Sequence, residues 1–159
     1  MKKLILVVAI ALFGAVHAQS TGSFKLGAHV GLPVGDISSA SNFLAGVDVS
    51  YLWPVAAEFN LGVTSGYSAW FPKGGGDTLG MIPIAAAGAY KFSPQFSLGV
   101  DLGYAFLFAS GASDGGFYFQ PKAAYHFGPS EVYVGYMGVS NNGYTSSAIN
   151  LGYAYSFGK

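Results

Sequence analysis

The stretch Phe96-Ser-Leu-Gly-Val-Asp-Leu-Gly-Tyr-Ala-Phe-Leu-Phe108 decides the fold class of this 159-residue chain. From Phe96 to Phe106, large apolar side chains stand at every second position, and the positions between them hold small or polar residues such as Ser97, Gly99 and Asp101. Successive side chains of a β-strand point to opposite faces. A period of two therefore predicts a strand with one apolar face and one small or polar face.

The same alternation recurs along most of the chain and predicts eight strands. They lie near 23–32, 43–53, 57–70, 81–92, 96–109, 117–127, 131–139 and 147–157. Each predicted strand has about the nine to eleven residues, or more, that a tilted strand needs to cross a bilayer.

The composition argues against an ordinary soluble domain. Only 9% of the residues are charged and 52% are hydrophobic, whereas a soluble domain carries about 25% charged residues. The chain contains neither cysteine nor arginine, which excludes a disulfide scaffold, thiolate chemistry and arginine-based recognition of phosphate or nucleic acid. Beyond the first twenty residues no run approaches 18 consecutive apolar residues. In a membrane, the hydrogen-bonding groups of the backbone must therefore be paired in a structure other than a transmembrane helix.

The first residues carry the pattern of a secretory signal peptide. Lys2 and Lys3 precede an apolar run over 4–16, and Val16-His17-Ala18 predicts cleavage after Ala18. The 13 apolar residues are too few to span a bilayer, which needs about 20. We therefore divide the chain into a signal peptide, 1–18, and a barrel domain, 19–159. The mature part has five lysines against seven carboxylates, so nucleic acid is not an expected partner.

The predicted connections alternate in length. Tight, proline-bearing turns lie at 53–56, 92–95 and 127–130, and longer segments rich in Gly, Ser, Asn and Asp lie at 33–42, 72–80, 110–116 and 140–146. Both termini fall on the short-turn side. An even-stranded outer-membrane barrel has this layout, with short turns in the periplasm and longer loops outside the cell.

A soluble lipocalin-like barrel or a sandwich is the competing prediction. The small and polar face lacks the many Lys and Glu residues of a solvent-facing sheet, and aromatic residues gather near both predicted rims, as they do at membrane–water interfaces. The two aromatic girdles comprise Trp53, Phe92, Phe127 and Phe157 on the periplasmic side and Tyr67, Phe71, Phe108 and Phe117 on the outer side. The predicted fold is all-β: an eight-stranded antiparallel up-and-down transmembrane β-barrel.

The signal peptide, the eight alternating segments and the closing Leu151-Gly-Tyr-Ala-Tyr-Ser-Phe157 resemble the small outer-membrane β-barrel proteins of Gram-negative bacteria, the OmpA/OmpX-like group. The resemblance covers essentially the whole mature chain. It implies location in the outer membrane of a Gram-negative bacterium, with outer-membrane lipids and the barrel-assembly machinery as partners. Members usually end on an aromatic residue, whereas Gly158 and Lys159 follow Phe157 here.

Charged residues on the inward parity predict an interior network. Its members are Lys25, Asp48, Glu58, Lys91, Asp101, Lys122, His126 and Glu131. The hairpin pairings place Lys25 diagonal to Asp48, Glu58 close to Lys91, and Asp101 and Glu131 beside Lys122 and His126. We interpret the network as structural rather than as a catalytic site or a proton relay, because a packed eight-stranded barrel leaves no substrate pocket.

No catalytic, cofactor-binding or metal-binding residue is predicted. An outer-membrane lipid A deacylase would need a His followed two positions later by a Ser, whereas Phe127 and Gly128 follow His126. His29 has no neighbouring His or carboxylate at strand spacing, so a metal site has little support. The predicted function is that of a non-enzymatic outer-membrane barrel that contributes to envelope integrity or presents short surface loops for contacts, including an unknown extracellular ligand. A narrow passive pore and a lipid-modifying enzyme are the alternatives.

Overall fold

The computed structural model describes residues 22–109 and 112–157, and within them eight antiparallel strands close into one barrel. Each strand pairs with the next along the chain, and β8 closes the barrel against β1. The strands are β1 (Ser23–Val34), β2 (Ser41–Pro54), β3 (Phe59–Pro72), β4 (Leu79–Lys91), β5 (Phe96–Ala109), β6 (Ala112–Phe127), β7 (Ser130–Asn141) and β8 (Tyr144–Phe157). The predicted fold class is confirmed. The predicted signal peptide lies outside the described residues.

The outer face of the barrel is apolar along its whole circumference. Large aliphatic or aromatic side chains on every strand stay exposed, as Val30, Ile84, Leu98, Val134 and Leu151 illustrate. A soluble protein rarely exposes so large a continuous apolar surface, whereas a transmembrane barrel turns such a band toward lipid. No helix in the described part of the chain is long and apolar enough to cross a membrane.

Most of two predicted long loops, 110–116 and 140–146, lies within strands. Strands β5 and β6 are separated only by residues 110–111, and β7 and β8 only by Asn142 and Gly143. Both residues of the second turn have positive φ, 47° and 87°, which is the conformation of the two-residue hairpin turns that Asn-Gly favours. The predicted strict alternation of long and short connections is therefore wrong on the outer side, where only 35–40 and 73–78 form longer loops.

The barrel interior has two chemically different halves. The half below the two longer loops is filled by an apolar cluster, which we call the plug, and the half nearer the short turns is polar. The plug consists of Leu44, Trp70, Met81, Ala85, Ala105, Tyr118, Met137, Val139 and Ala148, all buried. The inward positions therefore carry larger apolar side chains than the predicted small and polar face.

Inward glycines leave the room that large interior side chains occupy. A Cβ at Gly152 would overlap the ring of Tyr133, whereas a Cβ at the outward Gly88 would meet Leu61 at an ordinary 3.6 Å. We expect Gly152→Val to destabilise the barrel by about 1–3 kcal/mol through overpacking. Gly88→Val, the same change on the lipid side, should leave the free energy of unfolding nearly unchanged, as urea unfolding in detergent would show. Equal effects of the two substitutions would contradict this assignment of the two faces.

Candidate functional site

Two ion pairs form the centre of the polar half of the barrel. Lys122 Nζ lies 2.6 Å from Asp101 Oδ2, and Lys25 Nζ lies 2.5 Å from Glu131 Oε2. The Asp101 side chain is 2% exposed. A buried carboxylate is tolerated when an opposite charge and hydrogen bonds compensate it. The structure thus brings together Asp101 with Lys122, as the strand register predicted.

The partner of Lys25 differs from the predicted one. Lys25 pairs with Glu131, two strands away around the barrel, and not with Asp48 on the neighbouring strand. Glu131 is opposite Ala154 of β8, and Ala154 is in turn opposite Gly27 of β1. Because the side chain of Ala154 is small, the long lysine side chain can pass over β8 and reach the carboxylate of β7.

Asp48 contacts His29 and Tyr133 instead. His29 Nδ1 lies 2.9 Å from Asp48 Oδ2, and the Tyr133 hydroxyl donates to the same oxygen. The sequence-based statement that His29 has no carboxylate neighbour is therefore wrong. The imidazole is opposite Gly46 on β2 and Gly152 on β8, so there is space for the ring to turn toward Asp48. The register of β1 and β2 brings His29 and Asp48 together. The alternation of apolar residues does not determine that register.

Glu58 and Lys91 do not belong to the interior network. Glu58 lies in the connection between β2 and β3, Lys91 ends β4, and both are exposed at the short-turn rim. They meet through the backbone, where the Lys91 amide donates to the Glu58 carbonyl at 2.8 Å. The Glu58 carboxylate accepts a hydrogen bond from the Tyr90 hydroxyl at 3.1 Å. Near the rim, a side chain at an inward-facing strand position reaches solvent instead of the closed lumen. The alternation of positions alone therefore assigned both residues wrongly to the interior network.

A cavity of about 460 Å³ occupies the short-turn end of the barrel. Turn residues such as Pro94 and Pro129 stand at its mouth, and Asp101 and Lys122 line it deeper inside. The prediction that the packed barrel leaves no pocket on this side is therefore wrong. None of Leu44, Trp70, Met81 or Met137 lines this cavity, so it ends below the plug.

Two serines are connected to carboxylates through histidines. Ser97 Oγ lies 2.8 Å from His126 Nε2, and His126 Nδ1 lies 3.2 Å from Glu131 Oε2. In the second group Ser68 Oγ lies 3.0 Å from His29 Nε2, whose Nδ1 contacts Asp48. Both groups use the same pair of ring nitrogens in the same order. A pattern of a Ser close to a His along the chain does not detect these groups, because their members come from different strands.

The predicted girdle residues lie at the two ends of the barrel. Trp53 packs against Tyr51 with ring centroids 4.9 Å apart, and Phe71 stacks on Phe43 at 4.5 Å. The other members are exposed; they are Phe92, Phe127, Phe157, Tyr67, Phe108 and Phe117. These positions suit side chains that meet lipid near the headgroups, and their role as interface anchors stays a prediction.

The described residues contain no group of three or more His, Asp or Glu side chains arranged to hold a metal ion. The two histidines that the structure describes, His29 and His126, both face the lumen, where each bonds a serine and a carboxylate. Neither meets the lipid-facing surface that a lipid-modifying enzyme of the outer membrane needs for its substrate.

The fold matches solved small outer-membrane barrels. The attachment invasion locus protein Ail of Yersinia pestis superposes with a TM-score of 0.57 at 14% identity, over 86% of this chain and 97% of that one. The N-terminal β-barrel domain of Pseudomonas aeruginosa OprF gives 0.59 at 11% identity, over 87% and 100%. Neisserial surface protein A gives 0.53 at 15% identity, over 87% and 98%. No protein-family model and no curated protein matches the sequence.

These similarities establish the fold of the chain. The chain is a small transmembrane β-barrel of the outer-membrane type, with the eight-stranded architecture that the OmpA/OmpX-like resemblance implied. At 11–15% identity the likeness concerns the fold alone, and many functions share one fold.

Proposed function

We propose that the chain is a closed, non-conducting structural barrel of the Gram-negative outer membrane, exported through its signal peptide, and that it contributes to envelope integrity. Outer-membrane lipids and the barrel-assembly machinery are its partners in this role, which needs no catalytic step. The plug is the observation that carries the proposal. Leu44, Met81 and Met137 at its centre are at most 1% exposed, so side chains fill the lumen where a pore would have to pass.

The two longer loops support contact with other molecules as a second part of this role. They hold one another in place, because the Lys73 amide donates to the Ala40 carbonyl at 2.8 Å and Lys73 Nζ donates to the Ser38 carbonyl at 2.7 Å. Asp36 and Asp77 are exposed on these loops. The loops thus form one ordered patch at the outer end of the barrel, and we propose this patch as the surface for an extracellular ligand.

Conductance measurements test the closed lumen. We expect the purified barrel to produce no stable current steps in planar bilayers, because eight strands enclose an interior that side chains can fill. Met81→Ala combined with Met137→Ala should introduce or increase conductance, since both side chains belong to the plug. The migration of unheated and boiled samples in gels would show that each variant forms a closed barrel. Large reproducible steps from the parent protein would contradict the proposal and favour the pore.

A further inference from the structure

Ser97, His126 and Glu131 form a contiguous group on the wall of the short-turn cavity, with a hydrogen bond between Ser97 and His126 and an ion-pair contact between His126 and Glu131. The distances are 2.8 Å from Ser97 Oγ to His126 Nε2 and 3.2 Å from His126 Nδ1 to Glu131 Oε2. When the Nδ1 proton of the neutral ring points toward this carboxylate, which only accepts hydrogen bonds, Nε2 accepts from the serine hydroxyl. In this tautomer the imidazole can remove the proton of the serine when it attacks.

The cavity gives this serine access to small molecules. All three residues line it, and its volume of about 460 Å³ lies within the range of small-molecule sites, roughly 300–1,000 Å³. The mouth lies at the short-turn end, away from the lipid-facing surface. A reactant must therefore be small and soluble in water, unlike a membrane lipid.

Lys91 is the positively charged residue that the strand register places opposite Ser97. It lies directly opposite Ser97 in the pairing of β4 and β5, and both line the cavity. Residues opposite each other on one face have Cβ atoms about 4.5–5.5 Å apart. Within residues 22–109 and 112–157 the Lys91 ammonium has no carboxylate within ion-pair distance. A positive charge at this place stabilises the negative oxygen that develops when a serine attacks a carbonyl group.

We propose that Ser97, His126 and Glu131 are a hydrolytic triad that cleaves small soluble esters in the short-turn cavity. Ser97 Oγ bonds to the ester carbonyl carbon while its proton passes to His126 Nε2, and Glu131, whose Oε2 also pairs with Lys25, stabilises the imidazolium. The ester C–O bond then breaks, and the alcohol leaves with the proton from Nε2. Water attacks the acylated Ser97, His126 takes and returns a proton, and the carboxylic acid departs. This activity is additional to the proposed envelope role and independent of it.

The second serine group provides a matched internal control. Ser68, His29 and Asp48 repeat the order of contacts, yet Ser68 is 1% exposed against 6% for Ser97, and neither Ser68 nor His29 lines the 460 Å³ cavity. Its chemistry is the same, but it lacks access. If a reagent modifies Ser97 and does not modify Ser68, the difference is due to access through the cavity and not to the contacts of the serine alone.

A fluorophosphonate probe tests the nucleophile in the detergent-folded mature barrel. We expect the probe to attach to Ser97, as peptide mapping would locate it, and S97A to abolish the labelling. S68A should label like the parent protein, because the probe does not reach Ser68 in the parent protein. Gel migration of unheated and boiled samples would show that S97A and S68A are closed barrels. Absence of labelling in the folded parent, or equal labelling of S97A, would overturn the proposal.

Turnover of p-nitrophenyl acetate tests catalysis. We expect hydrolysis above that of S97A, and a loss of roughly 100-fold or more in His126→Asn, because a positioned general base contributes at least that much. E131Q should also lower the rate, and K91M should lower kcat with the labelled serine still present. Parent hydrolysis no faster than S97A would overturn the activity. The conductance and gel measurements are unaffected by that outcome, so the proposed envelope role is judged separately.

Discussion

Replacing Lys122 with Met is expected to destabilise the barrel by about 3–5 kcal/mol, the cost of leaving a buried charge without its partner. The Asp101 carboxylate is 2% exposed and its Oδ2 accepts the Lys122 ammonium at 2.6 Å. Both residues also line the short-turn cavity, and water in that cavity reduces the loss. Equilibrium urea unfolding in detergent or lipid would measure the loss. Asp101→Asn should cost less, because the remaining ammonium is the more exposed partner, with 26% of its side chain accessible.

The double variant of Asp101 and Lys122 distinguishes the energy of the ion pair from the separate packing contributions of the two side chains. Asp101→Asn combined with Lys122→Met should be more stable than the sum of the single losses predicts, by about 0.5–3 kcal/mol, because the two charges then leave together. Glu58→Gln is the matched control, since Glu58 accepts a hydrogen bond from Tyr90 at the exposed rim. That change should stay within about 0.5 kcal/mol. Strictly additive single losses would contradict a structural role for the pair.

The alternation of side chains was sufficient to predict the strands because membrane and lumen impose opposite demands on neighbouring residues. In β5 the observed span, Phe96–Ala109, is the predicted one, and Leu98 and Val100 face outward as expected. The outer connections were harder to predict, because Gly, Ser and Asn occur both in loops and at polar strand ends. Asn142-Gly143 was nevertheless a usable signal, since this dipeptide is a strong indicator of a two-residue hairpin turn.

The interior contacts could not be predicted from the alternation of apolar and polar residues alone. Lys25 reaches Glu131 across the small Ala154, a contact between strands that are not neighbours. Sequence pairing rules compare only adjacent strands, so they proposed Asp48. The depth of the cavity and the position of the plug depend on how large side chains such as Trp70 fill the tilted interior. These are packing properties, and the pattern of polar and apolar residues does not determine them.

Replacing Val100 with Lys is expected to destabilise the barrel by about 2–4 kcal/mol if the side chain lies near the bilayer midplane. Val100 is 40% exposed on β5, opposite Gly88 and Pro121 on the neighbouring strands. No carboxylate is paired with it there, so a lysine would place its ammonium in hydrocarbon or have to extend toward the headgroups. Unfolding from lipid vesicles, compared with unfolding from detergent, would measure the loss.

Tyr144→Lys is the matched control for this lipid-facing substitution. Tyr144 begins β8 beside the two-residue outer turn and is 77% exposed. Because a lysine close to the interface costs only about 0–1 kcal/mol, this variant should fold into vesicles almost as well as the parent. The difference between the two lysines then reports depth in the membrane and not the charge itself. Equal stability of Val100→Lys and the parent in lipid would mean that β5 does not face hydrocarbon at this position.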